Sequence, residues 1–162
     1  MPCPRSNKGY DTHQKYPVLC LFHGKDGNAD SWMDGSQGSG AVGVNAMATA
    51  LIAEGKIRPL MIVSPEIDNG YGINTSLTTQ SVSGYSRGMY EDYVMKDLIP
   101  YVDHHYSTIA NKSGRYVGGL SMGGFAALHD SFLHPDVFSK VGVMSAHAAD
   151  LLLFFDGTSG TS

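Results

Sequence analysis

Apolar residues run almost unbroken from Tyr16 to Phe22 (YPVLCLF) and stop at His23-Gly24. A short continuous apolar run closed by a turn suits a strand buried on both faces, so a first core strand is expected here. The stretch that follows, KDGNADSWMDGSQGSG, is dense in Gly, Asp, Asn and Ser and reads as loop. Asn45 to Glu54 (NAMATALIAE) predicts a helix, with Asn45 as its N-cap and Gly55 just past its end. Ile57 to Ser64 (IRPLMIVS) predicts a second strand, stopped by Pro65. From Glu66 to Gly88 the pattern dissolves into Gly, Asn, Ser and Thr, and a loop of that length inside a compact domain is usually functional or mobile.

Periodicity returns at Met89 to Tyr106, where Tyr90, Val94, Leu98 and Val102 recur at every fourth position. That spacing predicts an amphipathic helix, with Pro100 placed to kink it. Arg115 to Leu120 (RYVGGL) reads as a third strand, Met122 to His134 as a helix, and Phe138 to Ser145 (FSKVGVMS) as a fourth strand. After that, AHAADLLLFFDGTSGTS loses its period. Strand alternating with helix predicts an α/β fold, with a mostly parallel sheet, right-handed crossovers and helices on both faces. Such sheets gather ligands at the carboxyl ends of their strands, and His23, Pro65, Ser121 and His147 all fall there.

Composition narrows the function. A chain of 162 residues supports one domain, here 1–162 with irregular tails at 1–15 and 151–162. With 42% hydrophobic and 16% charged residues it belongs with folded proteins rather than disordered ones. A net charge of −4 with no Lys/Arg cluster argues against nucleic acid or an anionic membrane as partner and leaves small-molecule substrates. No apolar run approaches the roughly 18 residues of a spanning helix. The N-terminal MPCPRSNKGYDTHQK lacks a signal-type segment, which fits an intracellular protein or one whose leader has been removed. Two cysteines, Cys3 and Cys20, make no disulfide framework, and Cys20 is expected in the core.

GGLSMGGFAALH, residues 118 to 129, contains Gly119-Leu120-Ser121-Met122-Gly123, the Gly-x-Ser-x-Gly pattern of a nucleophile elbow. In a chain with 20 glycines the string alone is weak, but an apolar strand leads in and a helix leads out. The rival reading is a strand-to-helix turn whose serine caps the helix or binds a phosphate. Attack on an ester carbonyl builds negative charge on oxygen, and the Met122 N–H offers a donor at the positive end of a helix dipole. A second donor is needed from the loop after the first strand, and the Lys25 amide is placed to supply it. His23 reads as structural, its ring holding that loop through hydrogen bonds. Dinucleotide binding is disfavoured because HGKDGNAD lacks Gly-x-Gly-x-x-Gly, and His104-His105, adjacent on a helix, cannot face one metal. No metal or organic cofactor is expected.

Four stretches together are far more specific: KYPVLCLFHG at 15–24, SPEIDNGYG at 64–72, the run from YEDYVMKDLIPYVDHHY through GGLSMGG at 90–124, and HPDVFSKVGVMSA at 134–146. In these the chain resembles the "putative esterase" branch of the α/β-hydrolases, which holds esterase D, feruloyl and acetylxylan esterases and mycolyltransferases. The resemblance implies a three-layer α/β-hydrolase-like sandwich, core strands only, and a serine carboxylic-ester hydrolase forming an acyl-enzyme at Ser121. It also implies oxyanion amides at Met122 and Lys25, a scaffold role for Glu91, and a crevice shaped by His23, Gly24, Trp32, Asn69 and Tyr71 for a small-molecule ester, including a carbohydrate-linked one. The alternatives are an incomplete fragment or pseudoenzyme that binds acyl or carbohydrate ligands, and an acyltransferase.

In the family the acid and the histidine follow the serine, in later strand–helix units, and neither has an obvious counterpart here. His129 and His134 lie roughly 12 and 20 Å along the helix axis from Ser121, beyond a hydrogen-bond reach of about 3 Å. His13, His104 and His105 belong to the far end of the sheet. That leaves His147 as base with Asp150 as acid, a pair on one short segment that is hard to aim as a set. Open sheet edges are further expected to favour self-association.

Overall fold

The computed structural model of the protein describes residues 10–33, 35, 43–76 and 83–146. Four strands, β1 (Val18–Phe22), β2 (Met61–Val63), β3 (Arg115–Leu120) and β4 (Lys140–Met144), form one sheet in the order β2-β1-β3-β4, every pair parallel. Helix α1 (Val44–Ala53) joins β1 to β2. α2 (Tyr90–Asp92), a π-helical stretch (Tyr93–Leu98) and α3 (Ile99–His105) run on as one helix before β3, and α4 (Met122–Leu133) joins β3 to β4. The chain steps outward from β1 to β2, then back across to β3 and on to β4. Right-handed crossovers therefore put α1 on one face and the other helices on the opposite one, which makes the three-layer α/β arrangement.

The core lies on the face with α4. Cys20, Phe22 and Val117 from the sheet meet Val94 from the long helix, Met122, Ala126 and Ala127 from α4, and Ile67, Tyr71 and Ile73 from the loop after β2. The apolar spacing of the long helix is what buries it, since Val94, Leu98 and Val102 all turn inward. Just ahead of Pro100 its backbone widens into the π turn. A proline ring clashes with the carbonyl four residues back, here Lys96, and the wider turn gives that carbonyl room. On the other face α1 buries none of its residues. β4 is an edge strand, exposed along its whole length.

Three of the boundaries that differ from the sequence reading have a visible cause. Asn45 does not cap α1; Gly43 does, in extended backbone, and the Asn45 side chain accepts instead from the Ala46 N–H at 2.7 Å. Val44 N–H donates to Trp32 O at 2.8 Å, and a Cβ on Gly43 would lie 1.9 Å from Met33 O, so contact with the turn at 31–33 sets the start earlier. β2 is shorter than 57–64 because Lys56 and Ile57 still donate to Leu51 O in the helix cap, with Gly55 at φ +70, and Pro59 has no N–H to give. β4 begins two residues after Phe138, whose ring turns into the core.

Asp130 on α4 is completely buried, with Oδ1 3.3 Å from His129 Nδ1 and no hydrogen-bond partner for Oδ2 among the described residues. Burial raises its carboxyl pKa, and burial first, then Asp130, raises that of the Cys20 thiol. A carboxyl raised on folding contributes stability below its unfolded pKa, and that contribution is lost as pH rises through the folded value. Asp130→Asn is therefore expected to melt above the wild type at pH 7–8 by about 4 °C per kcal/mol of penalty removed. The gap should close towards pH 4, as thermal melts across that range would show; a gap independent of pH would contradict it.

Candidate active site

β3 ends at Leu120 and α4 begins at Met122, so Ser121 alone turns the chain. It does so at φ 54, ψ −116, a backbone conformation that costs a residue with a Cβ about 1–3 kcal/mol. Two hydrogen bonds hold it there: Ser121 N–H donates 2.8 Å to Met144 O, and Phe125 N–H donates 3.0 Å to Ser121 O. The flanking glycines supply clearance that no other residue could. A Cβ on Gly119 would lie 2.2 Å from Gly123 O, and one on Gly123 would lie 2.3 Å from Phe22 O and 2.5 Å from His23 O. α4 thus starts hard against the end of β1, and the register Phe22↔Gly119 sets the loop after β1 beside the serine. Ser121 is half-buried, and its hydroxyl has no hydrogen-bond partner among the described residues.

Strain concentrates along this one edge. Among the described residues the non-glycines at positive φ are Asp26, Asp68, Tyr71, Ser121 and Ser145, and each lies in the chain leaving the carboxyl end of a strand. Backbone held in such conformations clusters at sites that need a fixed geometry.

Two amides at this edge have no acceptor among the described residues. Met122 N–H is the first of α4, an orphan donor of the helix start, and Lys25 N–H belongs to the loop after β1. That loop is tied down from several sides. Its Asp26 N–H donates to Asn69 Oδ1 at 2.8 Å while Asn69 Nδ2 donates to Asp26 Oδ1 at 2.9 Å. Asn69 also exchanges bonds with Ser86, which links a third segment. Trp32 donates its ring N–H to Phe22 O at 2.9 Å, so it closes the loop onto the end of β1. Gly24 accepts from Gly27 N–H at 3.1 Å, and Lys25 Nζ sits 4.9 Å from the Tyr85 ring centroid. Tyr71 is 2% exposed, with ring contacts to Tyr85 and Phe125.

Four of the described histidines have ring partners away from the serine hydroxyl. His23 is fully buried, with Nδ1 2.8 Å from Gly24 O and Nε2 3.0 Å from Glu66 Oε1. His134 pairs with Glu91 at 2.8 Å, so Glu91 clamps α2 to the far end of α4. His129 faces Asp130, and His105 bonds Tyr101 O near the end of α3. His147 and Asp150 lie outside the described residues. Nearby, Tyr90 donates to Asp68 at 2.7 Å, and burial together with that carboxylate pushes its pKa up to about 12.

Glu66, Asp26 and Ser86 were not among the residues singled out from sequence. Glu66 had one signal, its place directly after Pro65 where β2 delivers the chain to the ligand edge.

Known proteins share this fold. The family model described as "Putative esterase" matches residues 5–155. The chain is 32% identical over 133 residues to an endo-1,4-beta-xylanase/feruloyl esterase of Xylanibacter ruminicola, across 82% of this chain and 17% of that one. A solved ferulic acid esterase superposes with a TM-score of 0.66 at 28% identity, over 84% of this chain and 48% of its own. The CE1 ferulic acid esterase of the fungus Anaeromyces mucronatus gives 0.64 at 27%, over 83% and 48%. The chain thus spans about half the length of these solved esterases and under a fifth of the xylanase/feruloyl esterase.

Proposed function

The chain belongs to the "Putative esterase" family of α/β-hydrolase fold, and from that premise we propose that it is a serine carboxylic-ester hydrolase working through an acyl-enzyme at Ser121. The observation that carries this reading is the elbow: a strained serine between strand and helix, with two amides at the same edge that have no acceptor among the described residues. Ser121 Oγ gives up its proton to a base and bonds to the ester carbonyl carbon. The carbonyl oxygen becomes an oxyanion held by the N–H groups of Met122 and Lys25. The C–O bond to the alcohol then breaks, the alcohol leaves with a proton, and water cleaves the acyl–serine bond to release the acid and restore the hydroxyl.

The hydroxyl needs a base. Both ring nitrogens of His23 are engaged, with Gly24 O on one side and Glu66 and Ile67 N–H on the other, and α4 carries His129 and His134 away from the hydroxyl. The base in this reading is His147, with Asp150 as its acid, or a group outside these 162 residues. Relatives named for ferulic acid make feruloyl esters the first natural substrates to try, with p-nitrophenyl acetate as the general probe. Turnover of either by the wild type is expected. His147→Ala lowers it by about 1,000-fold if His147 is the base, and unchanged turnover in that variant assigns the base elsewhere. A wild type that turns over neither ester contradicts the hydrolase reading.

A further inference from the structure

We propose that Glu66 is a positioning residue for the oxyanion site, aiming the Lys25 amide through the buried ring of His23; this rests on the reading of Ser121 and Lys25 given above. His23 Nδ1 lies 2.8 Å from a carbonyl oxygen, Gly24 O, which can only accept, so Nδ1 carries a proton and donates it. The next peptide bond is trans and planar, its carbonyl and N–H pointing in opposite directions. Holding Gly24 O therefore fixes the direction of Lys25 N–H. Gly27 N–H reinforces the hold from the other side, at 3.1 Å from the same oxygen.

What holds the ring is Glu66. His23 Nε2 lies 3.0 Å from Glu66 Oε1, and Ile67 N–H points at the same nitrogen from 3.3 Å. A proton shared between Nε2 and Oε1 makes their 3.0 Å contact a hydrogen bond, and where Nε2 keeps its lone pair it accepts from Ile67 N–H, so in both cases the ring is tied to the start of the loop after β2. The same carboxylate accepts from Ala29 N–H at 2.9 Å and from Asp68 N–H at 3.0 Å. One side chain thus joins both ends of the loop after β1 to the loop after β2, and its first link ends on the peptide plane that carries the Lys25 donor. The reciprocal Asn69–Asp26 pair anchors this loop independently, so loss of Glu66 should misaim it without unfolding it.

Glu66→Ala and Glu66→Gln in the 162-residue chain test this, read by the fluorophosphonate labelling rate at Ser121, hydrogen exchange over residues 24–31, and thermal melts. The Ala variant is expected to label about tenfold slower or more, short of the 100-fold or more for an oxyanion donor lost outright. Its apparent affinity for the probe should hold and its melt should shift little, while the Gly27 amide exchanges faster because Gly24 O is no longer fixed. In the Gln variant the amide can donate to a neutral Nε2 while its oxygen accepts from Ala29, but it no longer accepts from Asp68 N–H, so labelling should recover part of the loss. Labelling at the wild-type rate in Glu66→Ala, or no recovery in Glu66→Gln, overturns the aiming role. If the wild type itself takes no probe, it is the Ser121 reading that fails. Faster Gly27 exchange in Glu66→Ala then still supports the hold on the peptide plane, and unchanged exchange overturns it.

Discussion

Ser121→Ala is expected to cut turnover of p-nitrophenyl acetate by about 1,000-fold or more, leaving only what an oxyanion site and binding supply. The loss should come without loss of fold. Nothing described in the core bonds the Ser121 hydroxyl, and the hydrogen bonds that shape the turn, to Met144 O and from Phe125 N–H, belong to its backbone. Alanine keeps the Cβ and so the strain of φ 54, whereas Ser121→Gly removes both hydroxyl and strain. Glycine here should therefore be equally inactive yet more stable, by about 1 kcal/mol. Initial rates paired with thermal melts of both variants separate the nucleophile from the turn. An alanine variant that keeps its turnover would remove Ser121 from the chemistry.

Gly123→Ala should have the largest effect on stability, and it strikes the site as well. Its Cβ would lie 2.3 Å from Phe22 O and 2.5 Å from His23 O, both backbone atoms at the end of β1 that cannot swing aside. Relief requires α4 to retreat from β1, and Met122 N–H, at the start of α4, would leave with it. A loss of about 3 kcal/mol or more is expected, and any folded fraction should hydrolyse esters poorly. Gly142→Ala is the control, since a Cβ on this β4 glycine meets nothing within 4 Å, and a surface change of that kind usually stays within about 0.5 kcal/mol. Denaturant melts of the two would expose the contrast. Equal stability would mean that the elbow does not depend on that close approach.

The elements with strong periodicity were legible from sequence. YPVLCLF and RYVGGL are apolar enough to name two adjacent central strands, and the four-residue spacing of Val94, Leu98 and Val102 named the helix that buries them. The Gly-Leu-Ser-Met-Gly string named the turn because each of its glycines meets a backbone that pattern alone implies. Boundaries set by contacts between segments were not legible. Gly43 takes the cap from Asn45 because of Trp32 and Met33, residues that local propensity does not see. The supports of the site stayed hidden for the same reason: Glu66 reaches His23 across 43 positions, and Asn69 reaches Asp26 across 43. Carboxylates and amides in a glycine-rich loop look alike until the fold shows which of them meet.

The most direct measurement is to treat the 162-residue protein with a fluorophosphonate probe and locate the adduct by peptide mass spectrometry. A serine activated at the elbow gives a single adduct on the peptide carrying Ser121, and none in Ser121→Ala. A protein that takes no probe, or takes it on another serine such as Ser64 or Ser145, contradicts the assignment of Ser121 as the nucleophile.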